Sequence, residues 1–178
     1  MPALSPKEEI AASRKEQIMQ SAAALFASQG FYKTTTAHVA EAVGVTQPYV
    51  FHFFKSKEQL YLAVLEKAFD RMMNQFFTVN APPDQLSTEM GRQFELLLQT
   101  HRNEMLLLMQ SFTTPEPAVR NFVKEKYSFA YDRLVERFAK AGVPNPQWQA
   151  SMFISCGLIG TLSEVLELPK LAPWCDSE

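Results

Sequence analysis

The sequence predicts an all-α protein, and three observations carry that reading. Apolar residues recur at helical spacing, as in Ile18, Ala22, Leu25 and Phe26 at i, i+4, i+7 and i+8. No run alternates with period two between hairpin turn signals, and no segment repeats at a fixed period. Helix-stopping residues fall between the periodic stretches, at Gly30, Gly44, Pro82–Pro83 and Gly142 with Pro144.

Each element has its own start and stop. Ser5 is the N-cap of the first helix, with Pro6 in its first turn and Glu8 placed to reach back as in a capping box. That helix ends near Gln29, where Gly30 supplies the left-handed stop. Thr34–Thr35–Thr36 offers a hydroxyl cap for a two-turn helix with Val39, Ala40 and Val43 inward, closing at Gly44. Thr46 caps a third helix with Pro48 in its first turn and Val50, Phe53 and Phe54 as its buried side. Lys57–Glu58 opens a fourth, with Leu60, Val64, Ala68 and Met72 on one face, broken by the double proline. Asp84 or Ser87 then starts a helix through Phe94, Leu97 and Leu98, and a shorter one runs from Asn103 to Phe112. Glu116 to Ala141 keeps the helical period through Val119, Val123, Tyr127, Tyr131, Leu134 and Phe138, and a last helix spans roughly Gln147 to Leu168.

Composition bounds the function. The 178 residues are 47% hydrophobic and 20% charged, which places them with globular proteins rather than disordered or collagenous chains. Cys156 and Cys175 are too few for a disulfide framework or a four-cysteine zinc site, so a reducing cytoplasm is the expected home and no metal or cofactor is implied. The N-terminus lacks a basic flank followed by an apolar stretch, so no secretory signal is expected. From Ala141 to Ser163 there is no charged side chain, but prolines and glutamines interrupt the stretch and leave an apolar run too short to span a bilayer, so it reads as a buried helix.

Ala40, Gly44 and Val50 stand at the spacing of a helix-turn-helix. Only a small side chain fits near the crossing, the turn needs a positive φ, and an apolar residue must seal the second helix onto the first. The surrounding frame sharpens this. Arg14 through Leu65, carrying Ile18, Ala22–Ala23, Leu25–Phe26, Gly30–Phe31, Thr34–Thr35, Val39–Ala40, Gly44–Val45–Thr46, Phe53–Phe54, Lys55–Ser56–Lys57–Glu58 and Leu60, resembles the N-terminal domain of the tetracycline-repressor (TetR) family of transcriptional regulators. The resemblance covers about the first 65 to 75 residues. It implies a three-helix helix-turn-helix DNA-binding domain, residues 1–56, followed by a helical ligand-binding and dimerisation domain, residues 57–178, with helix four linking the two.

Carried over residue by residue, the family's DNA contacts fall on Thr35 and Thr36, on Thr46, Gln47, Pro48, Tyr49 and His52, and on Lys55 and Lys57. Hydroxyls at helix starts suit phosphate oxygens, and Gln47 and Tyr49 lie where a recognition helix meets base edges. Between Phe31 and Lys57, three lysines (33, 55 and 57) against Glu41 leave a balance of +2 within a chain of net charge −2. One departure stands out: many members have tyrosine, with a hydroxyl for phosphate, where this chain has Phe51.

Beyond Asn80 there is no nucleophile beside a base, no paired carboxylate on an apolar helix face and no glycine-rich phosphate loop, so an enzyme is not expected. Phe69, Met72, Met73, Phe76, Phe94, Met105, Met109, Tyr127 and Tyr131 supply adaptable apolar surface for a small-molecule pocket, or plain core. His101, between Thr100 and Arg102, is either a helix-end residue or a ligand-orienting group. The charge-free last helix, with Ser151, Ser155, Gly157 and Gly160, predicts close approach by a second copy, giving a homodimer sealed by this helix and the one before it. The leading expectation is therefore a dimeric repressor released from a near-palindromic operator by an apolar or amphipathic effector. The alternative is a helical small-molecule-binding or partner-binding protein without specific DNA readout, which Phe51 favours.

Overall fold

The computed structural model describes residues 5–172, and within them every regular element is helical. The α-helices are α1 Pro6–Lys33, α2 Thr36–Val43, α3 Gln47–Phe53, α4 Lys57–Thr78, α5 Leu86–Thr100, α6 Arg102–Ser111, α7 Pro117–Lys140 and α8 Pro146–Leu166, followed by a single 3-10 turn at Pro169–Leu171. Cys175 lies outside the described residues. The chain divides into two compact units, the first ending at Lys67 and the second beginning at Ala68. The boundary lies inside α4, beyond the 56/57 position expected from the sequence, because Leu60, Tyr61, Val64 and Leu65 at the start of α4 are buried in the first unit.

In the first unit α1 is capped as its sequence requires: Glu8 N–H donates to Ser5 Oγ, and the Glu8 carboxylate accepts from Ser5 N–H at 2.8 Å. Gly30 breaks α1 at φ 78°, but the chain resumes one further helical turn to Lys33, so the helix does not stop at Gln29. Beside the break the buried Thr34 hydroxyl shares its one proton between Leu25 O at 3.1 Å and Gly30 O at 2.9 Å, the latter also accepting Thr34 N–H. Phe26, Phe31 and Tyr61 form an edge-packed cluster there, with Phe26–Tyr61 and Phe31–Tyr61 centroids 4.9 and 5.0 Å apart. Thr35 caps α2 by accepting from His38 N–H, and Gly44 closes it in the left-handed conformation at φ 71°. Thr46 begins α3 but makes no side-chain cap bond, and Val50 and Phe54 are buried while Phe53 is only half-buried.

In the second unit α5 to α8 surround the later turns of α4. Its core includes Phe69, Leu86, Met90, Met105, Leu107, Leu134 and Phe138. Arg71 on α4 pairs with the mostly buried Glu104 of α6 at 2.7 Å, and Arg102 with Glu164 joins the exposed ends of α6 and α8. By length and composition α8 is long and apolar enough to cross a membrane, contrary to the expectation of a run too short to do so. The helix continues through Pro146–Gln149 and on to Leu166, which makes it 21 residues long. One side of it packs on α5, α6 and α7 of its own unit.

No atom crowds the position of a Cβ on Gly44, so the cost of adding one is conformational. Gly44→Ala should lower the unfolding free energy by about 1–2 kcal/mol through the left-handed backbone alone, read from urea denaturation followed by circular dichroism.

Candidate functional site

Three surfaces were singled out from the sequence, and the structure places their residues unevenly. On α3, Gln47, Pro48, Phe51 and His52 are exposed and Tyr49 is half-buried. Phe51 is 39% exposed, so it is not core. Tyr49 is steadied by an edge contact with Phe53 at 5.4 Å and a stacked one with His52 at 6.4 Å. Gln47 Nε2 donates to Thr36 Oγ1 at 2.8 Å, which leaves the Gln47 carbonyl oxygen outward as an acceptor. Thr36 itself is buried, so it braces Gln47 across the turn rather than presenting a free hydroxyl, whereas Thr35 and Thr46 remain exposed.

Lys57 departs most from expectation. Its ammonium donates to Phe31 O at 2.9 Å and Tyr32 O at 3.5 Å and stands 4.3 Å from the Phe31 ring centroid. It satisfies the carbonyl end of the turn after Gly30, where a cation is favoured. Lys55 is exposed two residues away, its backbone N–H held by Gln59. Spacing could not reveal this role, because the carbonyl partners lie 26 and 25 residues earlier in the chain.

The second unit holds a pocket of about 540 Å³ that is open to solvent on one side. Of the expected pocket residues, Met72, Met73 and Phe76 of α4, Phe94 of α5, Met105 and Met109 of α6, and Tyr127 of α7 are in its wall. Phe69, His101 and Tyr131 are not. Phe69 is buried behind Tyr127 at 6.2 Å between centroids. His101 joins α5 to α6 with Nδ1 2.8 Å from Thr100 Oγ1, the helix-end role. The sequence reading missed the share of α8 in the wall, including Trp148, Phe153 and Cys156, and that of α5 through Ser87, Gly91 and Arg92.

The third surface is on α8. Trp148, Met152, Ser155, Ile159 and Leu166 are exposed and Leu162 is half-buried. Their steps of four, three, four, three and four residues form the seam spacing of packed helices. Ser151 and Ser155 lie exposed beside it, but Gly160 is buried in its own unit and a Cβ on Gly157 would meet the Phe94 ring at 3.7 Å. Both glycines therefore face inward, and the apolar side chains rather than small residues make this surface. On α7 the exposed positions are charged or polar apart from Pro117, Phe129 and Ala139, so the seam is built mainly by α8.

Residues 18–64 match the family profile described as bacterial regulatory proteins, tetR family. The HTH-type transcriptional repressor KstR2 of Mycolicibacterium smegmatis is 30% identical over 103 residues, covering 56% of this chain and 49% of that protein. The chain thus matches about half the length of this curated relative. Among solved structures, the fold resembles a transcriptional regulator from Aquifex aeolicus VF5, with TM-score 0.73, 20% identity and coverage of 89% of this chain and 93% of that one. It also resembles AibR, solved in complex with isovaleryl coenzyme A and operator DNA, with TM-score 0.70, 23% identity and coverage of 84% and 86%. Residues 18–64, the helix-turn-helix part of the chain, are thus those of a tetracycline-repressor-type DNA-binding domain.

Because Lys57 is engaged inside its own unit, Lys57→Ala should lower stability by about 1–2 kcal/mol, the worth of a partly buried charged hydrogen bond. The measurement is the urea midpoint without DNA. An unchanged midpoint would return Lys57 to the freely solvated cations of the surface.

Proposed function

We propose that this protein acts in the cytoplasm as a homodimeric, DNA-binding transcriptional regulator, in the manner of a repressor. A small molecule held in the second unit releases it from a near-palindromic operator. It works by binding rather than by catalysis. The observation that carries the reading is the exposed face of α3, where Gln47, Tyr49 and His52 are held at the surface of a helix-turn-helix by the buried Val50 and by the Thr36–Gln47 hydrogen bond. Amide and phenol groups there suit base edges and thymine methyls in a major groove. Thr35, Thr46 and Lys55 supply phosphate contacts, and the role first expected of Lys57 passes to Lys55.

The two functions share one element. α4 begins in the first unit and carries Met72, Met73 and Phe76 to the cavity wall. Ligand and operator then oppose each other, and linkage makes the effect reciprocal: a tenfold loss on one side, ~1.4 kcal/mol, is a tenfold loss on the other. The exposed stripe of α8 favours a second copy as its cover, because a two-fold axis lets the same apolar seam bury itself on both protomers.

Selection of bound duplexes from a random DNA pool tests the reading. The expected product is a two-part site with half-sites about one helical turn apart; an unenriched pool would favour the alternative of a binding protein without DNA readout. Tyr49→Ala or Gln47→Ala should relax preference at one or two base pairs, at ~1–3 kcal/mol for the selected site. Ile159 is 44% exposed, so Ile159→Lys should leave the protomer folded while placing a charge in the seam. Association should weaken by ~3 kcal/mol, with operator affinity falling alongside. A wild-type protein that sediments as a monomer at micromolar concentration would remove the dimer.

A further inference from the structure

Gly91 sits in the interior of α5 and in the cavity wall. Glycine there costs roughly 0.5–1 kcal/mol against alanine. A helix-interior glycine usually repays that cost by letting another backbone or side chain come close. At Gly91 none does, because a Cβ placed on it meets nothing within 4 Å. The room its missing side chain leaves belongs to the cavity.

Tyr127, in the same wall, is braced by edge contacts with Phe112 at 4.9 Å and Phe69 at 6.2 Å. Among the described residues its hydroxyl has no hydrogen-bond partner. Burial pushes the phenol well above its ordinary pKa, so it remains a neutral donor. Tyr127 is half-buried, so its hydroxyl stays reachable from the pocket and can meet a ligand acceptor there.

The charges of the wall point the same way. Its two charged residues, Arg92 and Glu95, are both on α5, and Arg92 is already paired with Glu89; α4, α6, α7 and α8 contribute none. An ionised group carried to Tyr127 would find no counter-charge on those helices, a cost that one hydrogen bond does not offset. At about 540 Å³ the cavity suits a molecule of drug or metabolite size.

We infer that the cavity takes an uncharged, largely apolar molecule bearing a ketone- or ester-type oxygen, which accepts the Tyr127 Oη–H while the skeleton fills the room beside Gly91. This rests on the reading of the cavity as the effector site and adds its ligand chemistry. A matched pair of probes isolates the oxygen: 2-acetylnaphthalene and 2-ethylnaphthalene share a skeleton and differ by a carbonyl. Calorimetric titration of the full chain should show Tyr127→Phe weakening the ketone about fivefold, one neutral hydrogen bond, and leaving the hydrocarbon within about twofold. Gly91→Leu should weaken both at least about tenfold without lowering the melting temperature, since leucine favours the helix and no protein atom obstructs it. The inference is overturned if wild type binds neither probe, if Tyr127→Phe leaves the ketone affinity unchanged, or if Gly91→Leu leaves both affinities unchanged. Binding of the pool-selected duplex, measured on the same samples without probe, keeps the two readings apart. Duplex binding with any of those three results fails the ligand chemistry alone, whereas an absent duplex fails the regulatory reading.

Discussion

A helix of seven residues cannot hold itself in water, so everything the α3 face does depends on the burial of Val50. Val50 is fully buried in a unit where α2 packs on both α1 and α3, and Gly44 supplies the one left-handed residue that lets α3 follow α2 so closely. The Thr36–Gln47 hydrogen bond then fixes a surface side chain from beneath. Pre-setting Gln47 reduces the rotamer entropy lost on contact with a base, so a short helix presents an ordered face instead of a set of mobile side chains. The Lys57 ammonium, set on the carbonyls after the Gly30 break, ties the start of α4 to the end of α1 within the same unit.

The second unit is built around a different balance. Its methionines and phenylalanines fill a core yet leave a sizeable pocket open on one side. α8 has to serve two apolar surroundings at once. Phe153 and Gly157 turn inward to the cavity and Met152 stands at its rim, while Ile159 and Leu166 stay outward. A helix with no charged residue from its first turn to Ser163 satisfies both only if something apolar covers the outer side.

The same property explains where the sequence was and was not legible. Caps and stops are local, so Ser5–Glu8, Thr35 and Gly44 were found at their places, and the fold class with them. Val50 and Ala40 were legible because an amphipathic helix has one apolar side. α8 has no polar side, so its period could not tell inward from outward, and Gly157 and Gly160 were expected on the wrong one. Phe69 and Tyr131 follow the same helical period as the wall residues and differ from them only in the depth at which neighbouring helices cover them. Lys57 and Thr36 were read as solvent-facing because their partners, Phe31 and Gln47, meet them only through the tertiary fold.

Methylation interference on the selected duplex tests the central claim most directly, since it reads which groove the protein occupies. Two copies of α3 in successive major grooves predict loss of binding when guanine N7 is methylated in two clusters about ten base pairs apart on one face of the DNA. Interference confined to adenine N3 in the minor groove, or a single cluster, would contradict the account.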